Sequence, residues 1–476
     1  MSDDLYGLAM TVLHPGFEGT STPDWLRRAL GEGLGGVVLF ARNAIDERLV
    51  RQFRAENPDV VVAIDEEGGT VTRLEVTDGS SFPGNRALGV VDDVELTEQV
   101  GRQIGRMLAD LDITLNYAPS ADVNANPANP VIGVRSFGPT PELVSRHTVA
   151  YIDGVQGAGV AACAKHFPGH GDTVTDSHLA LPTVHASREV LFERDLPPFR
   201  AAIEAGVRVV MSGHLLVPAL DPAVPATLSR TVMTEILRDE LGFDGMLTTD
   251  AIEMRAVAAL AAPGEIVVRA LNAGVDAICA GLCDEDGLRE MRDAIVAAVR
   301  AGTLPEERLA EAAARVRAVS AWYAAQEPLR RQAHDDVDED AGLRAARRAL
   351  TTSGTAALGR GPLVVEINTR FSKAVDPATP TGITAALTAL LPDTARVQME
   401  AEGELPPFDD RPVVLVVHDA ARHPWVRETV AKALALRPDV IVVDTGVPAP
   451  PDGATHVATH GISRVSAQAA AEWLLT

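Results

Sequence analysis

The 476-residue sequence predicts an α/β fold: a (β/α)8 barrel of the TIM type followed by a smaller αβα sandwich domain. Short runs rich in Val and Ile recur through the first two thirds of the chain, and stretches long enough for a helix separate most of them. Such alternation is typical of parallel βαβ units, and eight runs in about 280 residues favour a closed barrel. A doubly wound sheet would give a similar pattern, so the choice of a barrel depends on where the polar residues fall.

The eight candidate strands of the barrel are short. They are LYGLAMTVL, GGVVLF, VVVAID, ITLNYAP, GVAACAKHF, VRVVMSG, GMLTTD and VDAICA. Helical stretches such as TEQVGRQIGRMLADL and PELVSRHTVAYIDGVQGAG lie between them. A long helical segment from Asp284 to about Ala325 completes this unit, which we expect to span residues 1–325.

A polar, charged segment without apolar periodicity follows the barrel. This segment, QEPLRRQAHDDVDEDAG, predicts a linker over residues 326–340. Beyond it, a short helix (LRAARRAL) and the runs LVVEIN, PVVLVVHDA, DVIVVDTG and ATHVATHGI predict a second α/β unit over residues 341–476. We expect a small parallel sheet with helices on both faces, in which His418 and Asp419 end a strand. Those two residues are either ordinary strand-end polar residues or contributors to a site.

Composition and charge exclude two classes of partner. Asp and Glu number 66 against 42 Lys and Arg, a net charge of −24, and such a surface repels nucleic acid and anionic lipid. No apolar run reaches the ~20 residues of a membrane span. The start, MSDDLYGLAM, lacks the basic region of a signal peptide, and three cysteines make no disulfide framework. We therefore expect a cytoplasmic protein with no nucleic-acid and no membrane partner.

Charged or imidazole side chains end four of the predicted barrel strands. Asp65 closes VVVAID, Lys165 and His166 close GVAACAKH, His214 follows VRVVMSG and Asp250 closes GMLTTD. The carboxyl ends of barrel strands open on one face, where active sites are built, so these residues are predicted to converge. Polar residues also end strands without any function, and for a single position both interpretations stay open. Lys165 is one of only three lysines in the chain.

The densest polar motif is KHFPGHGDTVTDSH, and three interpretations of it compete. A metal-dependent hydrolase would use His166, His170, Asp172 and His178 as ligands of Zn²⁺ or another divalent ion. An acid/base site would use Asp176 to orient and polarise His178. A purely structural role would leave buried histidines bonded to backbone groups, which is improbable for all of them together.

Two further motifs carry candidate residues. Asp250 in GFDGMLTTDAIEMRAV stands between a strand end and a helix-like run, so it is a helix cap or a nucleophile or base. In IDEEGGTVTRL, Asp65 precedes a Gly-Gly turn and Arg73 follows it, a pair suited to gripping hydroxyls or a carboxylate. A surface ion pair is the commoner outcome for such a pair.

Five motifs together, KHFPGHGDTVTDSH, IDEEGGTVTR, VIGVRSFG, PATLSR and FDGMLTTDAIEM, resemble those of the bacterial β-N-acetylglucosaminidases of glycoside hydrolase family 3. The similarity covers roughly residues 5–325, and the second unit resembles the αβα C-terminal domain that some members carry. The resemblance implies a retaining exo-β-N-acetylglucosaminidase that acts on a carbohydrate substrate and needs no cofactor and no metal.

The resemblance also implies roles for individual residues. Asp250 matches the nucleophile that forms a covalent glycosyl-enzyme, and His178 matches the acid/base on a mobile loop, with Asp176 as its partner. The positions that hold the sugar match Asp65, Arg73, Arg135, Lys165 and His166. The chain departs from the family pattern at Glu66, where Gln is often found, and in TTDAIEM, which replaces an SDDLSM-type run and leaves one aspartate as the nucleophile.

A histidine acid/base agrees with the chemistry of a retaining glycosidase. Its unperturbed pKa of about 6.5 lets it donate and then accept a proton near neutral pH. Replacing a carboxylate by imidazole also removes a negative charge from the leaving-group side, which would admit phosphate as acceptor. A phosphorylase or a β-glucosidase of the same family is therefore an alternative, and a sugar-binding protein without turnover is another. Muropeptides from peptidoglycan recycling, chito-oligosaccharides and glycoconjugates are the candidate substrates of such an enzyme.

Overall fold

A computed structural model describes residues 5–335, 338–368, 372–451 and 453–476. Its strands form two separate groups, one in the first two thirds of the chain and one in the last third. The first group is β1 (Leu13–Pro15), β2 (Gly36–Leu39), β3 (Val61–Ile64), β4 (Leu115–Asn116), β5 (Ala161–Phe167), β6 (Val209–Ser212), β7 (Met246–Thr249) and β8 (Ile278–Ala280). The second is β9 (Thr351–Ser353), β10 (Leu363–Asn368), β11 (Ala395–Glu400), β12 (Val413–Val417), β13 (Ile441–Asp444) and β14 (Thr455–Ala458).

Helices lie between most of the strands. Those of the first group are α1 (Leu5–Thr11), α2 (Asp24–Gly31), α3 (Glu47–Glu56), α4 (Asn85–Val91), α5 (Val94–Ala109), α6 (Pro141–Gly157), α7 (Arg188–Val190), α8 (Pro197–Glu204), α9 (Arg255–Ala258), α10 (Pro263–Ala273), α11 (Glu285–Arg300), α12 (Glu306–Ala325) and α13 (Glu327–Asp335). Those of the second are α14 (Ala341–Ala349), α15 (Thr384–Leu390), α16 (Pro424–Leu436) and α17 (Arg464–Trp473). None of the described helices is both long and apolar enough to cross a membrane.

The strands β2 to β7 form one parallel sheet in chain order, and this sheet is curled into a half-barrel. The strands β1 and β8 pair with each other, also in parallel. The N–H of Thr249, at the end of β7, donates to the carbonyl of Ala277 beside β8 (3.0 Å). The backbone N–H of Gly35, just before β2, donates to the carbonyl of Met10, just before β1 (3.1 Å). The α/β class and the parallel sheet agree with the sequence prediction.

Both faces of this sheet are buried, and β3 shows how. Val61 and Ala63 belong to the cluster inside the curl, whereas Val62 and Ile64 pack against the surrounding helices. Strands covered on both faces consist of apolar residues without alternation. This burial explains why the sequence marks them as continuous runs of Val, Ile and Ala.

The structure corrects the sequence prediction at three places in the first unit. The run LYGLAMTVL is not one strand, because Leu5–Thr11 is helical and β1 begins only at Leu13. The helical segment that was expected from Asp284 to Ala325 is two helices, α11 and α12. The expected linker begins with a helix, Glu327–Asp335, while residues 336 and 337 lie outside the described residues.

The second sheet has the order β11-β10-β12-β13-β14-β9. Its first five strands are parallel, as expected, but β9 is an antiparallel edge strand that the sequence did not indicate. Because β10 pairs with both β11 and β12, the strand order reverses between β10 and β12. In open α/β sheets, the carboxyl ends of the strands at such a reversal form a crevice. Residues 372–377 come after β10 in the chain. His418 and Asp419 follow β12 directly.

The two units contact each other directly. Helix α14 packs against α4 and α5, and Arg348 of α14 forms an ion pair with Asp93 (2.7 Å). Near the start of α17, the N–H of Arg464 donates to the carbonyl of Ser80 (3.0 Å). These contacts bring the carboxyl edge of the second sheet towards the carboxyl edge of the first.

Candidate active site

A cavity of about 620 Å³ opens at the carboxyl ends of the first-unit strands. Seven of the eight site residues predicted from the sequence line it: Asp65, Arg73, Arg135, Lys165, His166, His178 and Asp250. Asp176, the eighth, stands directly behind His178. Strand ends of one parallel sheet thus bring together residues that are up to 185 positions apart in the sequence.

Asp250 follows β7, and the backbone holds it in place on both sides. Its N–H donates to the carbonyl of Ser212 at the end of β6 (3.1 Å), and its carboxylate accepts from the N–H of Ala251 (2.8 Å). Burial pushes the pKa of Asp250 upwards, but the nearby imidazoles of His166 and His214 outweigh burial and hold it below its ordinary value. Asp250 is therefore an anion at neutral pH, as a nucleophile must be.

His178 and Asp176 form a hydrogen-bonded pair. The ring Nδ1 of His178 lies 2.7 Å from Oδ1 of Asp176, and the same oxygen accepts the backbone N–H of His178 (2.9 Å). Burial alone would raise the pKa of Asp176, yet these two bonds outweigh it and lower the pKa. An ionised carboxylate on Nδ1 leaves Nε2 of His178 for proton exchange with a molecule in the cavity.

Two cations and two carboxylates form a network on the other wall of the cavity. Lys165 Nζ lies 2.7 Å from Asp65 Oδ1 and 2.7 Å from Glu67 Oε1. Arg135 grips Glu67 with Nε (3.0 Å) and Nη2 (2.7 Å). Burial alone would raise the pKa of Glu67, but the two cations hold it well below its ordinary value. Such a network presents fixed donors and acceptors to a polar molecule in the cavity.

His166 is oriented by a buried aspartate. Its Nδ1 lies 2.7 Å from Asp122 Oδ2, and Asp122 Oδ1 also accepts the N–H of His170 (2.6 Å). Burial opposes the ionisation of Asp122, but the neighbouring His166 and His170 more than compensate and lower its pKa. The Nε2 atom of His166 is left for the cavity.

The four residues of the metal hypothesis are not brought together as a ligand set. His170 bonds with its two ring nitrogens to Thr173 (2.7 Å) and to Ser177 (3.2 Å). Asp172 forms an ion pair with Arg194 (2.9 Å), and His166 and His178 each bind their own aspartate. Within the described ranges, no group of three or more His, Cys, Asp or Glu is arranged to hold a metal ion.

Arg73 shows a contact that the sequence could not indicate. Its Nη2 donates to the carbonyl of Ala374 in the second unit (3.0 Å). Residues 373–377 line the cavity beside it, so the second unit contributes to the wall of the site. His418 and Asp419 line a small neighbouring crevice between the units, not the main cavity.

Sequence reasoning missed three features of this site: Glu67, Asp122 and the segment 372–377. His214, which was expected to converge with the other strand-end residues, interacts with Asp250 but does not line the cavity. Glu67 lies two residues beyond Asp65 in the same motif, and that spacing after a strand end was a usable signal. The imidazole of His214 is fully buried and bonds to Thr227 (2.8 Å) and to the carbonyl of Ala251 (3.1 Å). The segment 372–377 had no local signal, because its role arises from packing between the units.

Comparisons with known proteins identify the family of the chain. Residues 24–319 match the model of the glycosyl hydrolase family 3 N-terminal domain. The chain is 37% identical over 270 residues to Beta-hexosaminidase A from Pseudoalteromonas piscicida, a match over 51% of this chain and 45% of that protein. It is 36% identical over 271 residues to a Beta-hexosaminidase from Thiobacillus denitrificans (strain ATCC 25259 / T1), over 54% of this chain and 74% of that one.

A solved structure resembles nearly the whole chain. The glycoside hydrolase family 3 beta-N-acetylglucosaminidase from Paenibacillus sp. str. FPU-7 superimposes with a TM-score of 0.88 at 33% identity. The match covers 99% of this chain and 96% of that one. Fold, cavity and relatives define an enzyme of the glycoside hydrolase class. Because the family model matches more than half of its length, the chain belongs to glycosyl hydrolase family 3.

Proposed function

We propose that the protein is a retaining exo-β-N-acetylglucosaminidase, with Asp250 as nucleophile and His178 as acid/base. The observation that carries this proposal is that a carboxylate with a lowered pKa and a carboxylate-paired imidazole line the same cavity. The 33% identical structural relative from Paenibacillus is a beta-N-acetylglucosaminidase, which supports the same substrate class.

In the first step, the carboxylate of Asp250 attacks the anomeric carbon and forms an ester with the sugar. The bond to the leaving group breaks, and the imidazolium of His178 gives its Nε2 proton to the departing oxygen. Asp176 stabilises the imidazolium and fixes its orientation through Nδ1.

In the second step, the now neutral imidazole of His178 takes a proton from water. The oxygen of that water attacks the anomeric carbon, the ester bond breaks and Asp250 returns to its ionised form. Two displacements at one carbon retain the β configuration.

The sugar is held by Asp65, Arg73, Arg135, Lys165 and His166 in this proposal. Lys165 and Asp65, which bond to each other on the cavity wall, supply a donor and an acceptor for adjacent hydroxyls. The bonds that Arg135 and Lys165 make to Glu67 keep those side chains fixed.

We extend the proposal to the architecture and to the natural substrate. The hydrogen bonds that flank β1 and β8 support a closed (β/α)8 barrel, and the second sheet supports a C-terminal αβα domain over residues 341–476. Muropeptides hydrolysed in the cytoplasm during peptidoglycan recycling are the proposed substrates.

Turnover of 4-nitrophenyl N-acetyl-β-glucosaminide tests the mechanism. We expect Asp250→Ala to lower kcat/KM by at least roughly 10³-fold, because the covalent intermediate needs the carboxylate of Asp250. The matched control is Asp244→Ala, which changes an exposed aspartate just before the amino end of β7. Full activity of Asp250→Ala, or an equal loss in both variants, would refute the assignment.

Product analysis separates the alternatives. Free N-acetylglucosamine, both with and without phosphate and in the presence of EDTA, is the expected result. A sugar 1-phosphate in phosphate buffer would identify a phosphorylase, and preference for the glucoside would identify a β-glucosidase. Loss of activity in EDTA would support a metal-dependent hydrolase, and binding without turnover would support a sugar-binding protein.

A further inference from the structure

Ser372 of the second unit contacts the acid/base pair. The hydroxyl Oγ of Ser372 lies 3.4 Å from Oδ2 of Asp176. The other oxygen of Asp176, Oδ1, already accepts both bonds from His178. Ser372 therefore contacts the oxygen that His178 does not use.

The local geometry points the hydroxyl hydrogen of Ser372 towards Asp176. The backbone N–H of Ala374 donates to Ser372 Oγ (3.3 Å), which occupies a lone pair of that oxygen. A hydroxyl has one hydrogen to donate, and the carboxylate of Asp176 is an acceptor only. Asp176 is 7% exposed, so few waters can replace the serine as donor.

Ser372 is also fixed in position from the barrel side. Arg73 donates to the carbonyl of Ala374 (3.0 Å), two residues beyond Ser372. Val375 and Ser372 face the crevice that Asn129 and Arg135 line from the first unit. The segment is thus held between the two sheets, next to the loop that carries His178.

We propose that Ser372 is a positioning residue for the acid/base pair, so that the C-terminal unit takes part in proton transfer to the leaving group. A donor on Oδ2 fixes the plane of the Asp176 carboxylate and keeps Oδ1 aligned with Nδ1 of His178. Catalysis is sensitive to such alignment. The inference rests on the proposed function, since it needs His178 to be the acid.

The test compares substrates that differ in their need for an acid. The value of kcat/KM reports the first irreversible step, which is formation of the glycosyl-enzyme. We expect Ser372→Ala to lower kcat/KM about tenfold for an alkyl N-acetyl-β-glucosaminide, whose leaving group needs the proton. For the 4-nitrophenyl glycoside, whose leaving group departs without a proton, kcat/KM should change less than about twofold. Ser372→Thr, which keeps the hydroxyl, should restore the activity.

Two controls separate positioning from a general structural effect. Ser353→Ala removes a hydroxyl from β9 of the same unit and should change neither substrate. In the Asp176→Ala background, Ser372→Ala should cause no additional loss, because its target is gone. Thermal unfolding shows whether Ser372→Ala is folded. If it is not, Ser372→Cys is used in its place, because a thiol is a weaker hydrogen-bond donor than a hydroxyl.

Each outcome bears on one proposal. The inference would be overturned if Ser372→Ala lowered kcat/KM equally for both glycosides, or if it lowered kcat/KM further in the Asp176→Ala background. Neither result would affect the proposed glycosidase function. Unchanged activity on both glycosides would also overturn the inference. If the unmodified protein hydrolysed neither glycoside, the proposed function itself would be refuted.

Discussion

Two adjacent glutamates in the first unit have opposite electrostatic surroundings. Glu67 contacts Arg135 and Lys165, whereas the hydrogen bonds of the fully buried Glu66 come from neutral groups, among them the backbone N–H groups of Arg73 (2.8 Å) and Leu74 (3.1 Å) at Oε2. Burial raises the pKa of Glu66 to about 7. Glu66 organises the loop that carries Arg73 and does not line the cavity.

The raised pKa of Glu66 makes stability depend on pH. Its ordinary value is 4.5, so between about pH 4.5 and 7 the folded protein holds a proton that the unfolded chain releases. The contribution of Glu66 to the free energy of unfolding therefore falls as the pH rises through this window. We expect Glu66→Gln to lack this contribution and, at pH 8, to be more stable than the unmodified protein by about 1–3 kcal/mol.

Chemical denaturation at pH 5 and at pH 8 measures this difference. Glu56→Gln, at an exposed position on α3, is the control and should keep the pH dependence of the unmodified protein. The same difference in stability between pH 5 and pH 8 in Glu66→Gln and in the control would contradict the prediction.

At the scale of elements, the loop after β5 is shaped by a histidine that is uncharged at neutral pH. Burial lowers the pKa of His170 to about 4, so its ring acts as one donor and one acceptor between Thr173 and Ser177. Those two contacts fold the loop so that Asp176 and His178 stand at the cavity.

Removing the His170 ring should therefore weaken proton transfer more than sugar binding. We expect His170→Ala to lower kcat/KM for an alkyl glycoside roughly 10- to 100-fold, since the acid loses its position. The inhibition constant of free N-acetylglucosamine should change little. His185→Ala, an exposed histidine just beyond the loop, is the control. Unchanged kcat/KM in His170→Ala would show that the loop keeps its shape without the ring.

The sequence predicted most strands and, among the residues that line the cavity, Asp65, Lys165, His166 and Asp250, because both leave local signals. Strands buried on both faces appear as apolar runs, and strand-end polar groups follow them directly. Leu5–Thr11 was wrongly taken for a strand, since a short apolar run fits a buried helix equally well. The strand β9, Thr351–Ser353, consists of Thr and Ser and is partly exposed at a sheet edge, so no apolar pattern marks it. The contact between Arg73 and Ala374 joins residues 301 positions apart, and only the packed chain creates it.

At the scale of the whole molecule, close packing of α14 joins the two units. A Cβ atom on Gly342 would lie 1.9 Å from the carbonyl oxygen of Ser81 in the first unit. Glycine is required there by this close approach, because backbone cannot move aside as a flexible side chain does.

Gly342→Ala should therefore separate α14 from the first unit. We expect the free energy of unfolding to fall by about 1–3 kcal/mol, the usual effect of overpacking. Gly359→Ala is the matched control in the same unit, because its Cβ would have no neighbour within 4 Å. Denaturant titration of both variants measures the effect, and equal stability of the two would contradict it.

The network around Lys165 has a practical consequence for covalent labelling. Of the three lysines, Lys165 is 1% exposed and bonded to two carboxylates, so acylating reagents in solution meet only the side-chain amines of Lys373 and Lys432. Lys373 lines the cavity, and an attached dye or resin there would obstruct the entry of substrate. Lys432 lies exposed on α16, away from the cavity lining, and offers an attachment point for immobilisation that leaves the site open.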